Sequence, residues 1–198
     1  MKVLLLSPYP ERLQPVFAAY GDVVDITDQR LDDSALRARS YDWVVSYGYR
    51  YILRGLALET FRNRIVNLHV SYLPWNGGAD PNFWSFFDDT PKGVTLHWID
   101  AGVDTGDLIA QSRLNFGDGE TLATSYAQLQ TAVEELFAAN WPVIRAGAAP
   151  RIPQTGTGSK HLAKDKAQHL HALSLGWDTP VANVVEIGRQ HREIQDKS

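Results

Sequence analysis

Short apolar runs, broken at regular intervals by turn residues, outline the first seventy positions of the chain. Val3 to Leu6 is apolar throughout and stops at Ser7-Pro8-Tyr9-Pro10, and Val23–Ile26, Trp43–Tyr47 and Arg64–Leu68 repeat the pattern. Such runs, apolar on both faces, belong to parallel strands covered by helices. Helical spacing between them predicts helices over Leu13–Tyr20 and Asp32–Arg39, the second with Asp32 or Asp33 near its N-cap. Beyond a Gly/Pro-rich loop from Pro74 to Pro81, Asn82–Phe87 predicts a short helix. Gly93–Ile99 and Leu108–Leu114 predict two strands around an Asp100–Asp107 loop, and Thr121 to about Ala146 a long helix. Arg151–Lys160 reads as a loop, Gly176–Pro180 as a turn, and a terminal helix follows. The expected fold is α/β, with a mainly parallel, twisted sheet and helices on both faces. Ser7, Gly48 and His69 would then stand at the carboxyl ends of strands, where such sheets bind ligands. Residues 1–150 are expected to form one catalytic domain, with 151–198 a loop and helical extension of it.

Composition narrows the classes. Hydrophobic content of 44% and charged content of 21% suit a soluble globular protein. A net charge of -4 and a pI near 5.8 disfavour nucleic acid or an anionic membrane as a partner. The chain has no cysteine, which removes disulfides, Cys-ligated metals and Cys nucleophiles. The apolar run before Pro8 is too short for a signal peptide or a membrane span, so a cytoplasmic location is expected. No Gly-x-Gly-x-x-Gly, Walker loop or Gly-x-Ser-x-Gly is present. His161, His169 and His171 lack nearby cysteines or paired carboxylates, so they are expected to face solvent, and no metal is expected.

The chemistry-bearing positions are Asn67, His69 and Asp104. Asn67 and His69 are two apart and on a strand share a face. A loop carrying Asp104 returns toward that strand, so amide, imidazole and carboxylate could converge to move a proton and steady an oxyanion. The plainer alternative makes His69 a hydrogen-bonded structural histidine and Asp104 a turn residue capping backbone amides.

Asn67-Leu-His69-Val-Ser71-Tyr-Leu73-Pro74 resembles the Asn-x-His-x-Ser-x-Leu-Pro signature of the folate-dependent formyltransferases, and Gly102-Val-Asp104-Thr-Gly106 is similar to their second signature. The resemblance is strong from about Trp43 to Gln111 and continues through Gly158-Ser159-Lys160. It implies a Rossmann-like formyltransferase fold, 10-formyltetrahydrofolate as co-substrate, and a primary amine as acceptor. By the same resemblance Asn67 donates to the oxyanion, His69 stabilises that charge or shuttles the proton, and Asp104 orients His69 and relays the proton. The folate pocket would comprise Tyr49, Arg50, Tyr51, Ile52 and Leu53, with His97 and the loop residues Asp100, Ala101, Gly102 and Val103; Tyr47 is expected to be packing.

The wording Leu73-Pro-Trp-Asn-Gly-Gly-Ala-Asp-Pro-Asn-Phe-Trp84 is similar both to short sugar N-formyltransferases and to the formylation domain of nonribosomal peptide synthetases. A chain that ends at Ser198 favours the amino group of a nucleotide-linked amino sugar. An aminoacyl group on a carrier protein is the alternative acceptor, and a non-catalytic folate-binding module the alternative role. Methionyl-tRNA is disfavoured by the negative charge and the few residues after Pro150. Relatives often carry Arg or Lys just before the glycine of the Pro-Trp-Asn-x-Gly loop; Gly77 stands there instead, so a phosphate-bearing acceptor would lack a cation at that point.

Overall fold

The computed structural model describes residues 1–31, 40–117, 119–173, 175–195 and 197. The strands are β1 (Lys2–Leu6), β2 (Val23–Thr27), β3 (Trp43–Tyr47), β4 (Ile65–His69), β5 (Gly77–Gly78), β6 (Gly93–Trp98), β7 (Leu108–Arg113) and β8 (Lys160–His161). The helices are α1 (Pro10–Ala19), α2 (Leu56–Thr60), α3 (Pro81–Phe87), α4 (Leu122–Arg145) and α5 (Val181–Gln195), with 3₁₀ segments at Asp165–Leu173 and Gly176–Asp178. Six strands form one sheet in the order β2-β1-β3-β4-β6-β7, and β5 pairs with β8. The β2-β1, β1-β3 and β3-β4 pairs are parallel. Beyond them the direction reverses: Ile99 N–H donates to Ile65 O, and two residues inward Asn67 lies beside His97, which is antiparallel register. The α/β sheet expected from sequence is present, mixed at one side.

Element positions follow the hydrophobic pattern closely, with differences that have local causes. Helix α1 begins at Pro10, ahead of the expected Leu13, because a proline at the first helical position has no amide to satisfy and a preset φ. The short helix α2 carries too few residues to show a period. The Arg151–Lys160 stretch is not all loop, since Ile152 bridges Leu108 and Lys160 opens β8. The expected helix over Asp32–Arg39 lies outside the described residues.

The chain divides into two compact units, each gathered from separate segments. The first comprises Met1–His69, Leu96–Ala110 and Val133–Gln154. On one face of its sheet Leu4, Leu6, Val44 and Ile65 pack with Tyr41, Leu53, Ala57 and Phe61. From α1 and α4, Leu13, Phe17, Phe137, Trp141 and Ile144 are all fully buried. Phe17 meets Trp141 edge-on at 5.1 Å and Phe137 at 5.7 Å, geometries that aromatic pairs favour. Tyr47 is packed as expected, its hydroxyl donating to Glu134 at 2.6 Å.

The second unit comprises Val70–Thr95, Gln111–Ala132 and Thr155–Ser198. Its core joins Phe83, Trp84, Phe86 and Phe87 of α3 to Leu122 and to Val181 and Val184 of α5. Two of the histidines expected in solvent belong here instead. His161 stacks on Trp84 with centroids 3.9 Å apart and planes 4° apart, its Nε2 2.8 Å from Asp88 Oδ2. His169 is 7% exposed, against Phe87 at 4.4 Å and His191 at 4.8 Å. A dense aromatic cluster offers flat apolar faces that an imidazole ring can cover, so these rings pack although their residue type alone suggests the surface. The side chain of His171 lies outside the described residues. No helix among the described residues is long and apolar enough to cross a membrane.

One polar clamp holds the first unit. Asp22, with no side-chain exposure, accepts from Arg145 Nε at 3.1 Å, Trp141 Nε1 at 3.0 Å and the Met1 amine at 2.8 Å. Burial pushes its carboxyl pKa up, but the hydrogen bonds from Arg145, the amine and Trp141 together outweigh that and hold it below the usual value. A folded-state pKa below the unfolded one adds stability above the unfolded value, about 3.9, and that stability is lost as pH falls through the folded value. Asp22→Ala should therefore cost about 3 kcal/mol at pH 7, and Asp22→Asn should flatten the acid limb of the stability curve, both read by urea unfolding.

Candidate functional site

Strand alternation places Asn67 and His69 on one face of β4, with Leu68 on the other. The register extends this row, since Leu6 pairs with Ser46 and Ser46 with Asn67. The face that is apolar at Leu4, Val44 and Ile65 thus turns polar toward the carboxyl edge of the sheet. His97, on β6, is the next side chain in that row and is 1% exposed.

Asp104 joins the group from the loop between β6 and β7. Its Oδ2 is 3.8 Å from His69 Nδ1 and its Oδ1 is 3.4 Å from His97 Nε2. Asn67 Nδ2 lies 3.1 Å from the same His97 Nε2, and the two imidazoles are 6.2 Å apart and nearly perpendicular. One carboxylate therefore spans two imidazoles, and one of these touches the amide. His97 Nδ1 is 2.9 Å from Trp98 O, and a carbonyl only accepts, so Nδ1 carries the hydrogen. Nε2 is then the atom with two states. Neutral, it accepts from Asn67; protonated, it donates to Asp104. In the neutral state the second Asn67 amide hydrogen is available to another acceptor.

The backbone delivers Asp104 in a left-handed conformation, φ 54°, which aspartate tolerates better than most residues. Asp100 caps the turn, its Oδ1 accepting from Gly102 N–H at 2.9 Å and from the Thr105 hydroxyl at 2.6 Å. Gln154, which sequence reasoning passed over, fastens the loop from outside by donating to Asp104 O at 2.9 Å and Gly106 O at 2.8 Å. The neighbouring chain is tied down too: Leu108 and Ile152 exchange backbone hydrogen bonds, and Trp98 Nε1 donates to Pro150 O. No hydrophobic period marks Pro150–Gln154, so nothing in the sequence signals this attachment.

The remaining pocket candidates lie in the same unit, in differing surroundings. Residues 48–54 belong to neither strand nor helix, so their amides and carbonyls stand outside the sheet ladder. Tyr49 donates to Gln29 O and accepts from Leu31 N–H, and burial pushes its phenol pKa up. Arg50 donates to the Tyr51 hydroxyl at 2.9 Å. Ile52 is 53% exposed, whereas Leu53 is built into the core. Asp100, Ala101 and Gly102 are exposed and Val103 is half-buried.

A family model described as formyl transferase matches residues 22–140. The formyltransferase PseJ from Anoxybacillus kamchatkensis, solved in complex with UDP-4,6-dideoxy-4-formamido-L-AltNAc and tetrahydrofolate, is 44% identical. That similarity covers 95% of this chain and 100% of that one, with a TM-score of 0.91. A sugar N-formyltransferase from Shewanella, at 18% identity and a TM-score of 0.77 over 95% of this chain and 86% of that one, shares the fold. The methionyl-tRNA formyltransferases of Methylacidiphilum infernorum and Paraburkholderia phymatum are 34% and 32% identical over 64% and 79% of this chain. The chain spans 40% and 47% of their lengths.

Loop placement can be tested without any substrate. A Cβ on Gly106 would stand 1.8 Å from Trp98 O, so the loop cannot keep its path with a side chain there. Gly106→Ala should cost about 2–3 kcal/mol. Asp100→Ala, on an exposed turn, should cost about 1 kcal/mol. Chemical denaturation of the two variants measures both.

Proposed function

We propose, for a chain that belongs to the formyl transferase family, that it moves a formyl group from 10-formyltetrahydrofolate to the amine of a nucleotide-linked amino sugar. The observation that carries this reading is the Asp104 carboxylate within 3.8 and 3.4 Å of two imidazoles, one of them against Asn67. Similarity along the whole length of an enzyme solved with a UDP-linked formamido sugar and tetrahydrofolate supports the substrate class.

The residues present fit the folate. A pterin is flat with a donor and acceptor edge, and residues 48–54 offer backbone groups outside the ladder beside the exposed Ile52. When bound, 10-formyltetrahydrofolate supplies the formyl carbon and the nitrogen that leaves it. Asn67, with one amide hydrogen on His97 and a second available, donates to the formyl oxygen as negative charge gathers there. His69, largely buried, stabilises the same charge or carries a proton. Asp104 orients both imidazoles and offsets the positive charge of whichever one takes up the proton lost by the amine. That proton ends on the departing nitrogen, so no net charge is left behind. The cluster needs no metal and no cysteine for these roles.

Mass spectrometry of a panel of amines, with 10-formyltetrahydrofolate present, tests the acceptor. The added mass of one formyl group should appear on nucleotide-linked amino sugars; its appearance only on an aminoacyl carrier protein would move the reading to peptide initiation. Folate binding with no transfer to any amine would reduce the chain to a binding module. Asn67→Ala should lower kcat about a hundredfold or more, since one oxyanion donor is worth about 3–4 kcal/mol in acyl transfer. Unchanged turnover in that variant would remove Asn67 from the reaction.

A further inference from the structure

We infer that Tyr9 holds the sugar ring of the acceptor, its own ring the platform and its hydroxyl bonded to a ring substituent. This rests on the amino-sugar reading above. The sequence points to Ser7, Gly48 and His69 at the carboxyl edge of the sheet, and the proposed reaction uses only the last. The register explains the other two. Leu6 pairs with Ser46, Ser46 with Asn67 and Tyr47 with Leu68, so Gly48 and His69 follow side by side at the ends of β3 and β4.

Tyr9 is laid across this edge. Its N–H donates to Ser7 Oγ at 2.9 Å, and its carbonyl accepts from Arg12 N–H at 3.2 Å as α1 begins. The ring packs on Gly48 and on Tyr47, whose ring centroid is 5.8 Å away. A Cβ on Gly48, at φ 65°, would stand 2.9 Å from the Tyr9 ring, so the ring lies this close to the backbone only over glycine. Tyr47 is fixed in turn, buried and donating to Glu134, which also accepts from Arg12 at 2.9 Å. Tyr9 is only half-buried, and its hydroxyl makes no hydrogen bond among the described residues. All of these residues lie in the first unit, with Asn67, His69 and Asp104.

The two faces of the sheet decide which co-substrate the ring meets. Ser46 and Asn67 share a face with Leu4, Val44 and Ile65, and Leu53, from the segment proposed to hold the pterin, packs in that same core. Tyr47 alternates to the opposite face, against Glu134 of α4. Tyr9, packed on Tyr47, therefore reaches the edge from the side opposite the folate segment. An amine must approach the formyl carbon from a side that the folate leaves open, which makes this the acceptor's side. A pyranose presents a flank of C–H groups that lies flat on an aromatic face, and rim substituents that a phenol can bond. Tyr9 offers both already held in place, so little ordering has to follow binding.

Steady-state kinetics of the full chain test this, using a UDP-linked amino sugar that the wild type formylates and uridine diphosphate as a competing probe. Tyr9→Ala should raise the acceptor KM about tenfold, with kcat within about twofold and the folate KM unchanged. Tyr9→Phe keeps the packing on Gly48 and Tyr47 and should raise the acceptor KM about threefold, the loss of one neutral hydrogen bond. Uridine diphosphate carries no pyranose, so it should inhibit both variants as it does the wild type. An acceptor KM unchanged in either variant, a raised folate KM, or weakened inhibition by uridine diphosphate would each overturn this inference and leave the sugar reading standing. A wild type that formylates no amino sugar would overturn that reading, and this inference with it.

Discussion

Everything proposed for this protein depends on where the backbone puts one carboxylate. Asp104 reaches both His69 and His97 only because its loop doubles back along β4, and that path is held at several points. Asp100 closes the turn from within, Gln154 draws the Asp104 and Gly106 carbonyls from outside, and Gly106 passes too near Trp98 to carry a side chain. Asp104 itself takes a left-handed φ of 54°, which aspartate tolerates better than most residues. These contacts rest on a packed core. Leu4, Val44, Ile65 and Phe61 bury the face whose outer end turns polar.

An aspartate in a glycine-rich turn can cap amides, or it can act on a neighbouring ring. Asp100 caps its turn, and the Asp104 carboxylate lies between imidazoles. His97 is held by Trp98 O on one nitrogen, which leaves its other nitrogen answering to both Asn67 and Asp104. A proton arriving at that nitrogen would thus alter the amide and the carboxylate together. In the proposed reaction this couples oxyanion donation to proton uptake.

Much of the sheet was legible in the sequence because its signal is local. Four- and five-residue apolar runs bounded by turn residues mark strands, and β1, β3 and β4 lie within a residue of where the pattern puts them, while β2, at the sheet edge, is only partly covered. The two-residue spacing of Asn67 and His69 likewise carries its own geometry. What stayed hidden depends on single long-range contacts. Ile152 bridges Leu108 as an isolated residue, and Gln154 works through one side-chain amide. Neither has a period. His161 and His169 depart from the expected solvent position for a related reason: a lone imidazole reads as polar, and only the aromatic cluster around Trp84 and Phe87 makes it a packing group.

The most direct test of the central claim is the single-turnover rate of formyl transfer in Asp104→Asn, measured beside its folate affinity and melting temperature. An amide in that place can still occupy the space and hold a ring, but it cannot offset a protonated imidazole. The account expects a folded protein with near-normal folate affinity whose transfer step is slowed at least about a hundredfold. A variant that melts earlier yet transfers the formyl group at the wild-type rate would contradict it, and would leave Asp104 as a residue of the turn.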